Sequence, residues 1–322
     1  NKLTKKIQKL KKKSKSLFGK TTFFGVMPDW NPAEIIGTKP KPLSLSLYKY
    51  LITDSVWSEN RNKYGYNNVY PFHLLTTFYG TPYVDLRIDF NSWVPSNIPN
   101  NLKEKLVNYY LNKFSKNKKS HDKIEFDIVY SCCSFDTKKR IYSELLKDNF
   151  KKSEIKIILK NLIRITNNTI KNYNDDYNFI NKLPQKQTLV NTSKIYEVDK
   201  IFWLLNDCKK YGTSPFAGLA RCAFVAIEFL NSLVRLKILT IDEKQKFLSS
   251  IQTVTSEIVE DFSKLNKNSF LKKYGHLRPN TYDISVNNYK EGYNYYFNKK
   301  KKIKRKKFSK FYFSKKQKQQ II

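Results

Sequence analysis

The residues of this chain that could do chemistry are arginines and carboxylates set close together in short runs. In residues 83–90, Asp85, Arg87 and Asp89 alternate with Val84, Leu86, Ile88 and Phe90. Period-two alternation predicts a strand with one apolar face and one Asp-Arg-Asp face. Residues 123–129 repeat the design, with Ile124, Phe126 and Ile128 facing one way and Glu125 and Asp127 the other. If the two strands are neighbours, Arg87 meets carboxylates from both. That face is either a salt-laced solvent surface, worth about 0–1 kcal/mol per exposed pair, or the wall of a polar cleft. In the second case Arg87 binds a phosphate or carboxylate bidentately, and the acids orient it or hold a metal of unknown identity.

Three further places carry similar chemistry. Arg221 lies in strongly apolar surroundings, so it needs a partner, either an internal carboxylate or a substrate phosphate. His276, Arg278, Tyr282 and Asp283 crowd a donor, a cation and an acid into a stretch that Gly275, Pro279 and Asn280 make irregular. Arg278 is the expected anion ligand there. His276 has the chemistry of a general acid–base, without an identifiable partner. Finally, residues 22–27 read as a short buried strand stopped by Pro28. Asp29 or Asn31 then caps a short helix with Pro32 at its first position and Glu34 in its first turn. Such a corner is either structural or a device for presenting polar side chains.

The elements that must position these groups are mostly helical. Residues 43–61 and 101–114 read as helices before Asp136. After it, residues 137–148, 153–173, 192–211, 215–239 and 240–265 show apolar spacings of three and four. Thr240 with Glu243 forms a capping box, and residues 174–187, with Pro184, read as a loop. Ala217, Gly218, Ala220, Ala223 and Ala226 allow close helix packing, which puts 215–239 at the centre. Arg221, Glu228 and Arg235 interrupt its apolar run, so a buried helix is expected, not a membrane span.

Net charge is +34, with nine lysines and no acid in residues 1–20 and twelve basic residues and no acid in 297–322. With those set aside, 40 basic residues face 27 acidic ones. Charge concentrated at the ends is weak evidence for a nucleic-acid partner. The four cysteines, at 132, 133, 208 and 222, show neither metal spacing nor a disulfide framework, which suits a reducing cytoplasm.

Six stretches resemble, in order, the central region of bacterial proteins related to phosphoenolpyruvate (PEP) synthase, the PEP/pyruvate-binding-domain proteins. They are Met27-Pro-Asp-Trp-Asn-Pro-Ala-Glu-Ile-Ile-Gly37, Ser46-Leu-Tyr-Lys-Tyr-Leu-Ile-Thr-Asp54, Tyr83-Val-Asp-Leu-Arg-Ile-Asp-Phe-Asn-Ser92, His121-Asp-Lys-Ile-Glu-Phe-Asp-Ile128, Tyr211-Gly-Thr-Ser-Pro-Phe-Ala-Gly-Leu-Ala-Arg221 and Tyr274-Gly-His-Leu-Arg-Pro-Asn-Thr-Tyr-Asp-Ile284. Asn280 departs from the pattern, standing where Gly is expected. The resemblance implies a parent that moves phosphoryl from ATP, with Mg²⁺, through a phosphohistidine to pyruvate or another acceptor. Its partners would be a flanking ATP-grasp-like domain and a swivelling phosphohistidine domain. Neither a Gly-rich phosphate loop nor the Thr-Ser-His swivelling motif is found here, Ser120-His121 being the nearest approach. The chain therefore reads as a fragment, inactive alone.

The fold expected is α+β and predominantly α-helical. Residues 1–19 form a basic linker helix, 20–134 an α+β subdomain, 135–289 a larger helical subdomain, and 290–322 a basic linker and the start of a helix. Under the resemblance, Arg87, Arg221 and Arg278, with Asp29 and Asn31, bind substrate or phosphate. Asp85, Asp89, Glu125, Asp127 and Asp283 line a polar cleft, and no catalytic residue is assigned in this chain. The other classes left open are a basic RNA- or polyanion-binding module and a scaffold that has lost catalysis.

Overall fold

The computed structural model describes residues 2–279, 286–297 and 310–321. Helix accounts for 64 % and strand for 4 %, so the class is α+β and predominantly α-helical. The chain divides into two compact units, Asn1–Phe229 and Leu230–Ile322, and the division falls inside the helix Ser214–Arg235.

The first unit holds the only sheet among the described residues. Its strands β1 (Phe24–Gly25), β2 (Leu75–Phe78) and β3 (Thr81–Asp85) are antiparallel in the order β1-β3-β2, with Phe24 opposite Asp85 and Leu75 opposite Val84. Tyr79 and Gly80, at φ 49° and 79°, form the two-residue turn between β2 and β3. Positive φ at both central positions is what the twist of a tight hairpin requires.

Helices pack around this sheet. Asn100–Lys116 buries Leu102, Leu106, Val107 and Tyr110, and Lys152–Lys171 buries Ile155, Ile158, Leu162 and Ile165. Spacings of three and four place each set on one face. One apolar cluster runs from Leu17 to Ile165, drawing on about the first half of the sequence, with Trp57, Tyr64, Phe90 and Tyr110 almost fully enclosed.

Several expectations are corrected. The alternating run 83–90 is not one strand: β3 ends at Asp85, and Leu86–Ser92 is a helix. The Asp85 side chain accepts from the N–H groups of Arg87 (3.0 Å) and Ile88 (3.3 Å) and from the Thr22 hydroxyl at 2.5 Å. A capping carboxylate thus outcompetes the strand ladder for those donors. Two residues along a helix is about 200° of rotation, so Arg87 and Asp89 leave opposite sides of it. Residues 124–128 form a single wide helical turn burying Ile124 and Ile128, not a strand. The segment 43–61 is three pieces, Pro42–Tyr48, the wide turn Lys49–Thr53, and Val56–Tyr64. Residues 174–187, read as a loop, lie mostly in the helices Tyr173–Ile180 and Leu183–Thr192. All four cysteines are free thiols, as their spacing suggested.

The run Glu197–Arg235 is long and apolar enough, by length and composition, to cross a membrane, and 44 % of its apolar window is buried. Within it Arg221 pairs with Glu125, and Glu228 pairs with Arg140 at 2.7 Å.

In the second unit, Ile241–Ser250 and Val254–Lys264 replace the single helix expected over 240–265. Thr240 and Glu243 do form the capping box that starts the first of them. Phe262, Phe270 and Phe297 make a ring cluster with centroids 4.8–5.4 Å apart. Lys315–Ile321 is helical and is capped by Ser314, whose hydroxyl accepts from the Gln317 N–H at 3.2 Å.

Replacing Asp85 tests the strand-to-helix switch. Asp85→Ala is expected to lower unfolding free energy by about 1–2 kcal/mol or more in urea denaturation, whereas Asp85→Asn keeps most of the capping and loses much less.

Candidate functional site

A cavity of about 320 Å³ opens within the first unit, where five segments far apart in sequence converge. The first is the turn at Asp29–Asn31. Asp29 and Asn31 both adopt left-handed backbone, φ 56° and 47°, a conformation that Asp and Asn tolerate better than other non-glycine residues. The Asn31 side chain caps the helix Pro32–Ile35, accepting from the Glu34 N–H at 3.4 Å. The Tyr48 hydroxyl donates to the Trp30 carbonyl at 2.7 Å and pins the turn from behind.

The helix Val56–Tyr64 contributes Trp57, Asn60 and Arg61, which spacings of three and four place on one face. Leu86–Ser92 supplies Asp89, and Trp93 follows at its end, four residues on. The wide turn Ile124–Ile128 offers Glu125 and Phe126. The helix Ser214–Arg235 offers Ala217, Ala220, Arg221 and Phe224. Asn60 donates to the Ser214 carbonyl at 2.7 Å and ties the two helices together. Gly218 permits this approach, because a Cβ there would run into the side chains of Tyr64 and Asp176.

Charge organises the interior. Arg61 is nearly enclosed and donates through Nη2 to Asp29 Oδ1 at 2.5 Å and through Nη1 to Asp89 Oδ1 at 3.0 Å and Ser92 Oγ at 2.5 Å. Its guanidinium lies 3.6 Å from the Trp93 ring centre and 5.2 Å from that of Trp57. Arg221, also buried, pairs with Glu125 and sits 5.0 Å from the Trp93 ring centre. Two guanidiniums thus share one indole, a cation–π contact strengthened by desolvation.

Three carboxylates against two guanidiniums leave one excess negative charge in a site shielded from water. Burial, and then the neighbouring Asp29 charge, push the Asp89 carboxyl far above its ordinary range, only partly opposed by Arg61. Asp89 therefore holds its proton to higher pH than an ordinary carboxyl. Asp29 Oδ2, Trp57 Nε1 and Arg221 Nε are buried without a hydrogen-bond partner. Asp89 Oδ2 and Trp93 Nε1 are unpartnered there too, so the cavity offers both acceptors and donors to a ligand.

Of the residues expected from sequence, Asp29, Asn31, Asp89, Glu125 and Arg221 meet here. The others do not. Arg87 donates to the carbonyls of Leu10 (2.8 Å) and Lys12 (2.7 Å), at the end of the helix Lys2–Lys11, so it anchors that helix and binds no anion at the cavity. Asp85 is a cap, and Asp127 accepts from the Ser120 hydroxyl at 2.8 Å. Arg278 donates through Nε to the Val286 carbonyl at 2.8 Å, and His276 is exposed; both belong to the second unit. Asp283 and Tyr282 lie outside the described residues. Among the described residues no group of three or more His, Cys, Asp or Glu is placed to hold a metal. Arg61, Asn60 and the lining tryptophans Trp30, Trp57 and Trp93 were missed as site residues, although the spacing of Trp57, Asn60 and Arg61 already put them on one face.

Comparison with protein-family models, with curated proteins and with solved structures finds no match for this chain.

The proton held by Asp89 sets a pH dependence. Its folded pKa, raised to about 8, lies above the unfolded value of 3.8, so the associated stability is complete below that value and is lost as pH rises toward 8. Between about pH 5 and pH 8 the unmodified chain is expected to lose thermal stability that Asp89→Asn does not lose. The check is melting temperature against pH for both proteins; identical slopes would show that Asp89 is ionised throughout.

Proposed function

We propose that this chain is the acceptor-binding region of a phosphotransferase that resembles PEP synthase. One observation carries the reading: four of the six resembling stretches, separated by as much as the interval from Asp29 to Arg221, line a single cavity. Their polar residues, Asp29, Asn31, Asp89, Glu125 and Arg221, are the ones that meet there.

In this reading the cavity takes pyruvate, PEP or another small acceptor. The aromatic walls exclude water, and the donor edges of Arg221 and Trp57 orient the anionic or carbonyl end. Asp29 Oδ2 is the free acceptor for the proton that an acceptor hydroxyl or enol gives up as its oxygen bonds to phosphorus. Asp89 positions Asp29 through the Arg61 they share. The phosphoryl donor, ATP with Mg²⁺ acting through a phosphohistidine, belongs to flanking domains in the parent.

Three of the four tryptophans, Trp30, Trp57 and Trp93, line this cavity. In a Trp203→Phe background every remaining tryptophan is therefore a reporter. Titration with pyruvate or PEP is expected to shift their emission saturably, at millimolar concentration or below. The double variant Glu125→Gln/Arg221→Met, which leaves no unpaired charge behind, is expected to abolish the shift. No response to either acceptor in the parent background would overturn this reading.

A further inference from the structure

The helix Val56–Tyr64 has a second working face. Val56, Glu59 and Lys63 line another cavity, of about 630 Å³, assembled with Tyr173–Ile180, Leu183–Thr192, Glu197–Asp207 and the wide turn Cys208–Thr213. Its floor is set by Asp176, which is buried and takes the Lys63 ammonium at 2.7 Å and the Tyr64 hydroxyl. Glu59 and Asp207 also border it.

Two kinds of side chain are concentrated there. Phe179 and Tyr211 stack, with ring centres 5.9 Å apart and planes 20° apart, and Trp203 stands beside them half exposed. Lys186 and Lys210 lie 5.5 Å and 5.3 Å from the Tyr211 ring centre, and Lys209 lies 4.5 Å from that of Tyr50. Among the described residues the ion pair at this cavity is the one Lys63 makes with Asp176. Lys186, Lys209 and Lys210 are held over rings instead.

We propose that this cavity binds a nucleotide, its base stacked on Tyr211 and Trp203 and its phosphates on Lys186, Lys209 and Lys210. Lysines are mobile point charges suited to following a short phosphate chain, and exposed aromatic faces accept any base by stacking. The volume suits one small ligand, and three rings, Phe179, Trp203 and Tyr211, line it, which favours a mononucleotide over a single strand. This inference is independent of the acceptor site, since none of the three lysines lines the first cavity.

The test is calorimetric titration of the chain, at about 150 mM salt so that diffuse attraction to its lysines is screened. The probes are ADP, inorganic tripolyphosphate, adenosine and a ten-residue oligoadenylate. ADP is expected to bind one to one, at least about tenfold tighter than tripolyphosphate or adenosine. Lys209→Ala/Lys210→Ala and, separately, Trp203→Ala are each expected to weaken it about tenfold or more. All three positions are at least partly exposed, and an unchanged melting temperature would certify the folds. Four results would each overturn the proposal: no saturable ADP binding, tripolyphosphate binding as tightly as ADP, ADP binding unchanged in the variants, or oligoadenylate binding at least tenfold tighter than ADP.

Discussion

Arg61 is the interaction on which the first unit depends. Its guanidinium joins Asp29 from the left-handed turn to Asp89 from the helix after β3, while its flat face rests on Trp93. Breaking a buried ion pair by removing one partner costs about 3–5 kcal/mol, against a total stability of about 5–15 kcal/mol for an ordinary domain. Here the loss would expose two carboxylates to each other at once. Among the described residues both acids make their ion pairs with this one arginine. Fold and site therefore rest on the same side chain, and the proton at Asp89 is what remains of a charge that Arg61 alone cannot neutralise.

Much of this was legible before the structure. Helical periodicity located the amphipathic helices, Gly218 marked one close approach, to Tyr64 and Asp176, and Arg221 was placed where a buried cation must find a carboxylate. It found Glu125. The failures came where two patterns give the same string. Alternation in 83–90 and 123–129 fits a strand, yet Ile124 and Ile128 are equally well placed to share a helical face. What decided 83–90 was Asp85, whose capping bonds depend on Thr22, sixty-three residues away. No local window contains that information. Arg87 illustrates the same limit from the other side: its type suited an anion site, but the carbonyls it serves come from a helix at the far end of the chain.

The two cavities of the first unit share a wall. Residues of Val56–Tyr64 alternate between them with the helical period, so Arg61 faces one and Lys63 the other. Both charges are met by a buried aspartate, Asp89 or Asp176. A short helix with both faces committed has little tolerance for substitution on either. Its stop is equally defined, since Gly65 takes φ 110° just past Tyr64.

Three helical segments in this unit are wound one residue too wide: Lys49–Thr53, Ile124–Ile128 and Cys208–Thr213. A wide turn is an α-helix carrying an extra residue, and one residue corresponds to about 100° of rotation and 1.5 Å of advance. Within the run Glu197–Arg235, the turn at Cys208–Thr213 therefore sets the phase between Trp203, on one side of it, and Arg221, on the other. Losing a single residue there would leave the composition and the helix length almost untouched. It would turn the guanidinium of Arg221 about a quarter of a revolution away from Glu125. Along this stretch the chain is spelled in a reading frame of its own, in which substitutions are local errors and a one-residue deletion garbles everything downstream.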